Sequence, residues 1–192
     1  TGVSEKSATD NGTSDSGAVY VFDLIEDSWL ENAYIKASNT QSDDFFGADV
    51  SISDDGNTIA VGTRFEDSNA SVINGDDSSN SASNSGAVYV FALNEELWVQ
   101  QAYIKASNSQ QGDGFGSSID LSANGNTLVV GARLEDSSST NESDNSREDS
   151  GAAYVFVRNG ITWNQKAYLK ASTIQGNDQF GRSVSISGNG NM

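Results

Sequence analysis

One string recurs three times along this chain. Gly17-Ala-Val-Tyr-Val-Phe22 returns as Gly86-Ala-Val-Tyr-Val-Phe91 and as Gly151-Ala-Ala-Tyr-Val-Phe156. A Trp follows each copy (Trp29, Trp98, Trp163), then Ala-Tyr-Ile/Leu-Lys-Ala-Ser from Ala33, Ala102 and Ala167, then Phe-Gly at Phe46, Phe115 and Phe180. The tryptophans are 69 and then 65 positions apart, and the leading glycines keep the same spacing. A unit this small cannot bury an apolar face alone, so the copies must stack on one another. Repetition also moves the functional question from one active site to a repeated surface.

Superimposed, the copies show four short strands per unit. The first (Ala48 to Ser53, Ser117 to Ser122, Arg182 to Ser187) alternates apolar with small polar residues, as in Val50 and Ile52, Ile119 and Leu121, Val184 and Ile186. That period of two marks a strand with one packed face. Tight turns follow at Asp55-Gly56, Asn124-Gly125 and Asn189-Gly190, pairs that supply the positive φ a hairpin needs. The second strand, Thr58 to Gly62 and Thr127 to Gly131, is an almost unbroken apolar run and is expected to be buried on both faces. A long polar loop comes next, Thr63 to Ser85 and Ala132 to Ser150, and holds the whole length difference between the repeats. Variable length and low complexity place it at the surface. Gly-Ala-Val-Tyr-Val-Phe is the third strand; a hairpin crosses to the Trp, and Ala-Tyr-Ile-Lys-Ala is the fourth. No segment sustains a helical period. The pattern predicts an all-β chain of β-propeller blades, each a four-stranded antiparallel sheet. A β-solenoid would have shorter rungs, of about 20–30 residues, and an immunoglobulin-type array would need about seven strands per hundred residues.

Thr1 to Ser7 align with Gly62 to Ser68, inside a long loop, and the chain stops in a first hairpin at Met192. The expected division is 1–46 as the last two strands of a split blade, 47–115 and 116–180 as whole repeats, and 181–192 as the first strand of the next. Propellers have about four to eight blades. The chain is therefore expected to be part of a longer one or, alternatively, a subunit that self-assembles through its split blade.

Charge narrows the partners. Asp and Glu number 27 against 10 Lys and Arg, with no His. Such a surface repels nucleic acid and anionic membranes and suits cations or basic partners, although acidic loops also serve solubility alone. No apolar run approaches the roughly 20 residues of a membrane helix, so no membrane insertion is expected. With neither His nor Cys, Ser-His-Asp and Cys-His catalysis are excluded within this chain, and no Gly-Lys-Ser/Thr phosphate loop occurs. Three Asn-x-Ser/Thr triplets, at Asn11, Asn69 and Asn141, fall in long loops, as chance allows in so Asn- and Ser-rich a chain.

Asp44-Phe-Phe-Gly-Ala-Asp-Val-Ser-Ile-Ser53, Ile59-Ala-Val-Gly62 and Ser85-Gly-Ala-Val-Tyr-Val-Phe91 resemble an FG-GAP repeat, the unit of the seven-bladed propeller of integrin α subunits. The microbial FG-GAP class is the nearer likeness, and it covers nearly the whole chain. The resemblance implies about three repeats of a larger, seven-bladed propeller, extracellular or at the cell surface, serving adhesion or ligand binding. It identifies no ligand.

The integrin pattern also implies a calcium loop, Asp-x-Asp/Asn-x-Asp-Gly-x-x-Asp, because Ca2+ takes about six to eight oxygens. Position by position this falls on Ser51, Ser53, Asp55, Gly56 and Ile59, where only Asp55 and Gly56 fit. The second copy offers Asp120, Ser122, Asn124, Gly125 and Leu128, and the third Ser185, Ser187, Asn189 and Gly190. Better candidates are Glu66, Asp67, Glu135 and Asp136 at the loop mouths, and Asp44, Asp113 and Asp178 two residues before each Phe-Gly. The competing reading has those aspartates capping turns and the Glu-Asp pairs solvated. Arg64 and Arg133 are expected to bridge carboxylates, Lys36, Lys105 and Lys170 to guard an edge strand against aberrant pairing, and the tryptophans to anchor packing between blades, with carbohydrate stacking as the alternative. The function expected is a non-catalytic adhesion or binding module, possessing Ca2+-stiffened loops that meet a protein or glycan ligand. The alternatives are a structural subunit of a surface filament or matrix, and part of a propeller enzyme acting on polysaccharide or phosphoester.

Overall fold

The computed structural model describes residues 12–192; the alignment of residues 1–7 with the long loop and the triplet at Asn11 lie outside them. The described residues form ten strands and no helix: β1 (Val19–Ile25), β2 (Ser28–Ile35), β3 (Asp49–Ile52), β4 (Thr58–Thr63), β5 (Ala87–Asn94), β6 (Leu97–Ile104), β7 (Phe115–Leu121), β8 (Thr127–Ala132), β9 (Ala152–Asn159) and β10 (Thr162–Leu169). They make two four-stranded antiparallel sheets, β3-β4-β5-β6 and β7-β8-β9-β10, and a two-stranded sheet, β1-β2. Each is a propeller blade or the outer half of one.

The apolar runs are buried as their composition requires. Every residue of β4 is buried, from Thr58 to Thr63, and so are the first five of β5. The outer pair of each blade carries a bulge at the same place, beside Val21, Val90 and Ala167, which twists these strands identically. The fourth strand starts before the Trp rather than after it. The hairpin ahead of it is a two-residue turn, Glu26-Asp27 at φ 46° and 65° in the first copy. No Asn-Gly or Asp-Gly marks that turn in the first two copies, whereas Asn159-Gly160 stands there in the third, at the hairpin expected ahead of the Trp.

Blades meet through two devices. Side chains from neighbouring sheets share one core: Trp98 packs with Ala33 and Ile35 of β2, and Trp163 with Ala102 and Ile104 of β6. Trp29 is 67% exposed because no described sheet precedes β1. The Phe-Gly segments supply the second device. Phe46, Phe115 and Phe180 form parallel bridges to Gly17, Gly86 and Gly151. At Gly86 (φ 82°) a Cβ would stand 2.0 Å from the Phe115 carbonyl oxygen, so only glycine admits this contact.

Inner strands add polar links. The Ile119 amide donates to Asp49 Oδ2 at 2.8 Å and the Leu121 amide to Ser51 Oγ at 3.0 Å; the Ile186 amide donates likewise to Asp120 at 2.9 Å. The expected strand over Arg182 to Ser187 does not form. Among the described residues its bonds run instead to β7, from Val184, Ser185 and Ile186, and the Ser187 amide donates to the Met192 carbonyl across the turn.

Candidate functional site

Under each long loop lies a buried ion pair, built from matching residues in both copies. Lys105 and Lys170 stand one residue past the ends of β6 and β10, where the chain turns inward. Lys105 Nζ donates to Glu66 Oε2 at 2.9 Å, the Ser68 carbonyl at 2.9 Å and Ser85 Oγ at 2.7 Å. Lys170 Nζ donates to Glu135 Oε2 and Ser150 Oγ, both at 2.8 Å. Tyr103 and Tyr168 hydroxyls donate to the glutamates' other oxygens, at 2.8 and 2.9 Å, and Asn39 and Asn108 amides do so from the preceding blade. These lysines are corrections: they are not edge-strand guards but the counter-ions of Glu66 and Glu135, with side chains 2% exposed or less. Burial pulls the Lys105 ammonium below the ordinary lysine range, against the attraction of Glu66, and pushes the Tyr103 phenol far above its own. These are the two ion pairs among the described residues; Arg64 instead lays its guanidinium 4.4 Å over the Phe65 ring.

The neighbouring acids close the loop stems. Asp67 Oδ1 accepts from the Asn84 amide at 2.7 Å, and its carbonyl from Ala82; Asp136 accepts from Asp149 at 2.8 Å, and its carbonyl from Arg147. The Gly86 and Gly151 amides return to the Glu66 and Glu135 carbonyls. So the Glu-Asp pairs are not solvated: Glu turns into the node and Asp ties the loop's return. Beyond the stem, each loop lies on the chain that follows the preceding blade's fourth strand. Asn39 donates to the Asp77 carbonyl at 2.8 Å and Gln110 to Asn145 at 3.2 Å, and Asn74 brackets Tyr103 on the open edge of β6.

The aspartates before Phe-Gly cap turns. Asp44, Asp113 and Asp178 accept from the amides three residues earlier, at 3.1, 2.9 and 2.8 Å. Burial, with the carboxylates of the adjacent Glu-Asp pair, pushes Asp44 up to about 6 and Asp113 up to about 8. Asp178 is exposed. Asp55 takes the Ser53 hydroxyl at 2.6 Å and the Asn57 amide at 3.0 Å, which holds its carboxyl below the usual range. In place of the implied calcium loop, then, stands a turn whose one carboxylate and one hydroxyl satisfy each other, while Ser51 donates to Asp120 in the next blade. This donor set does not fit a hard cation. Among the described residues no three acids converge on one point.

The sequence did hold a trace of the node. Ser68 and Ser137, Tyr103 and Tyr168, Asn39 and Asn108 all recur at matching offsets, but recurrence alone does not tell a buried network from a surface one.

The FG-GAP repeat pattern matches residues 29–91, 98–156 and 163–192, which together make up most of the chain. The chain belongs to the FG-GAP repeat family. It is also similar to human integrin alpha-11, 36% identical over 107 residues, a stretch that covers 52% of this chain and 8% of that protein. The matched FG-GAP intervals begin at the three tryptophans, so the family unit runs from the fourth strand of one blade through the third strand of the next. With that phase both the Phe-Gly clamp (Gly86 with Phe115) and the Glu-Lys node (Glu66 with Lys105) join residues of two successive family units.

Proposed function

We propose that this chain is a non-catalytic section of an extracellular FG-GAP propeller that holds acidic loops for a protein or glycan partner. The observation that carries this reading is the repeated node: each long loop is tied at its stem and laid on the preceding blade by the same set of bonds, so its outer residues are displayed from a rigid base. Rigid display lowers the ordering cost of binding. The similarity to an integrin α subunit supports the adhesive reading and the extracellular setting. The absence of His and Cys from the sequence supports the non-catalytic one. The test replaces 76–80 and 140–144, outside the Asn74 and Asn145 contacts, with Gly-Ser linkers and probes an array of glycans and matrix proteins. Binding is expected to disappear while the melting temperature stays within a few degrees; ligands retained after replacement refute the loop face as the binding surface.

A second reading rests on the β1-β2 pair. Tyr20 and Phe22 are each 48% exposed, whereas their counterparts Tyr89 and Phe91 are buried completely. This face is proposed as a seat for a further propeller sheet, including one from a second copy of the chain. Light scattering that gives a monomer at every concentration excludes the second copy.

A further inference from the structure

Adjacent blades leave a groove on the outer rim between their hairpins, and two such grooves are present. The first, about 460 Å3, lies between the β1-β2 and β5-β6 hairpins; the second, about 580 Å3, between β5-β6 and β9-β10. Their walls correspond through the repeat spacing of 69 and 65. They differ in charge. Ile25, Leu30 and Leu93 floor the first groove, and Asp23, Glu31, Glu95 and Glu96 rim it. At the matching positions the second groove has Ala92, Gln100, Gly160 and Ile161, none of them charged. Leu93 is matched there by Arg158, whose guanidinium lies 5.4 Å over Trp163. One backbone thus presents an acid-rimmed apolar groove beside one with no acid at the matching positions and with Arg158 at its side.

The acids of the first groove serve no evident structural purpose. Asp23 accepts from Asn32, but no donor among the described residues pairs with the carboxylates of Glu31, Glu95 or Glu96. Ile25 and Leu30 remain about half exposed, at 51% each. Four carboxylates set around an open apolar floor complement a segment that carries both halves of that pattern: cationic heads on apolar stems.

We propose that the groove between the β1-β2 and β5-β6 hairpins is a docking site for a cationic, apolar peptide segment of a protein partner. The charged rim steers and selects, and the floor takes up the apolar side chains. This site is separate from the loop face, so it stands or falls independently of the reading above.

The probe is a fluorescent synthetic peptide of alternating Lys and Leu, with an alternating Glu and Leu peptide for comparison, titrated against the whole chain. The Lys-Leu peptide is expected to bind and the Glu-Leu peptide not. Combining Glu31→Gln, Glu95→Gln and Glu96→Gln is expected to weaken binding about tenfold. A control of equal charge loss elsewhere, Asp43→Asn with Asp54→Asn and Glu148→Gln, is expected to leave it within about twofold. Should the groove variant not fold, Gln100→Glu with Gly160→Glu and Ile161→Glu carries to the second groove the same three acids that the groove variant removes. Glu95 already holds φ 58° at the position matching Gly160, so the backbone accepts the exchange. A second bound peptide is then expected. Equal losses in the groove and control variants, or no gain on transfer, would overturn the proposal.

Discussion

Replacing Lys105 by Met tests the node directly. The substitution keeps the apolar stem and removes three donated bonds, to Glu66, the Ser68 carbonyl and Ser85. Glu66 keeps Tyr103 and Asn39 as donors but loses its counter-ion inside a site where it is 2% exposed. Stranding one member of a buried pair costs about 3–5 kcal/mol. For a chain of this length each kcal/mol moves the melting temperature by about 2–4 °C, so a fall of about 6–20 °C is expected. Urea unfolding of Lys105→Met, Glu66→Gln and the double variant completes a cycle. The double variant should be less damaged than the singles add up to, with a coupling of about 2 kcal/mol, because a neutral amide in place of the carboxylate needs no cation. Lys170→Met should behave alike at the second node. A cost under about 1 kcal/mol with no coupling would show that the carboxylate is not enclosed with the lysine, and the account of the loop base would fail.

Gly86→Ala should cost more than about 3 kcal/mol, from a clash with the Phe115 carbonyl, whereas Gly112→Ala, at φ 92° with no atom within 4 Å, should cost about 1 kcal/mol; urea midpoints compare them. Asp113 keeps in the fold a proton that the unfolded chain releases, since its value of about 8 stands above the ordinary 3.8. Its contribution is therefore lost as pH rises, by up to about 1.4 kcal/mol per unit between about pH 4 and 8, and Asp113→Asn should gain on the parent chain across that window; unfolding series near both limits that stay parallel would contradict it. Trp163→Ala should destabilise by about 3–5 kcal/mol and Trp29→Ala by under about 0.5, in line with their burial, as calorimetry can read. Calcium against chelator should shift the melting temperature by less than about 1 °C, because the acids of the expected cation sets are already bonded to protein donors; a clear rise would establish a cation site.

Much of the fold was legible because a repeat repeats its physics. The continuous run at Thr58 and Gly before Ala-Val-Tyr each had a structural reason that could be read in more than one copy, and apolar alternation packs as expected in β7 through Ile119 and Leu121, whereas in β3 Val50 and Ile52 are about half exposed. The hairpin ahead of the Trp was legible but its turn residues and the start of the fourth strand were not, because at Glu26-Asp27 acidic residues take positive φ where Gly or Asn is expected. The 182–187 strand failed because alternation describes one face of a strand and not its partner. The site was harder. Glu66 and Lys105 are 39 positions apart and meet only when β6 returns past the loop stem. A surface acid and a buried one look alike in a chain so rich in both Asp and Glu. What separated them was the identity of their neighbours, which the folded blade brings together from distant positions, with Asn39 added from the blade before.

The stem contacts of the long loops carry one more consequence. Asp67 meets residues 82 and 84, and Asp136 meets 147 and 149, so each excursion leaves and re-enters the blade through the same narrow neck. Residues spliced beyond that neck lengthen a tether without disturbing the sheets. Doubling such a tether costs only about 0.6 kcal/mol in closure entropy. The architecture therefore insulates its joints from its cargo, and foreign peptides grafted there should be carried without refolding the blades.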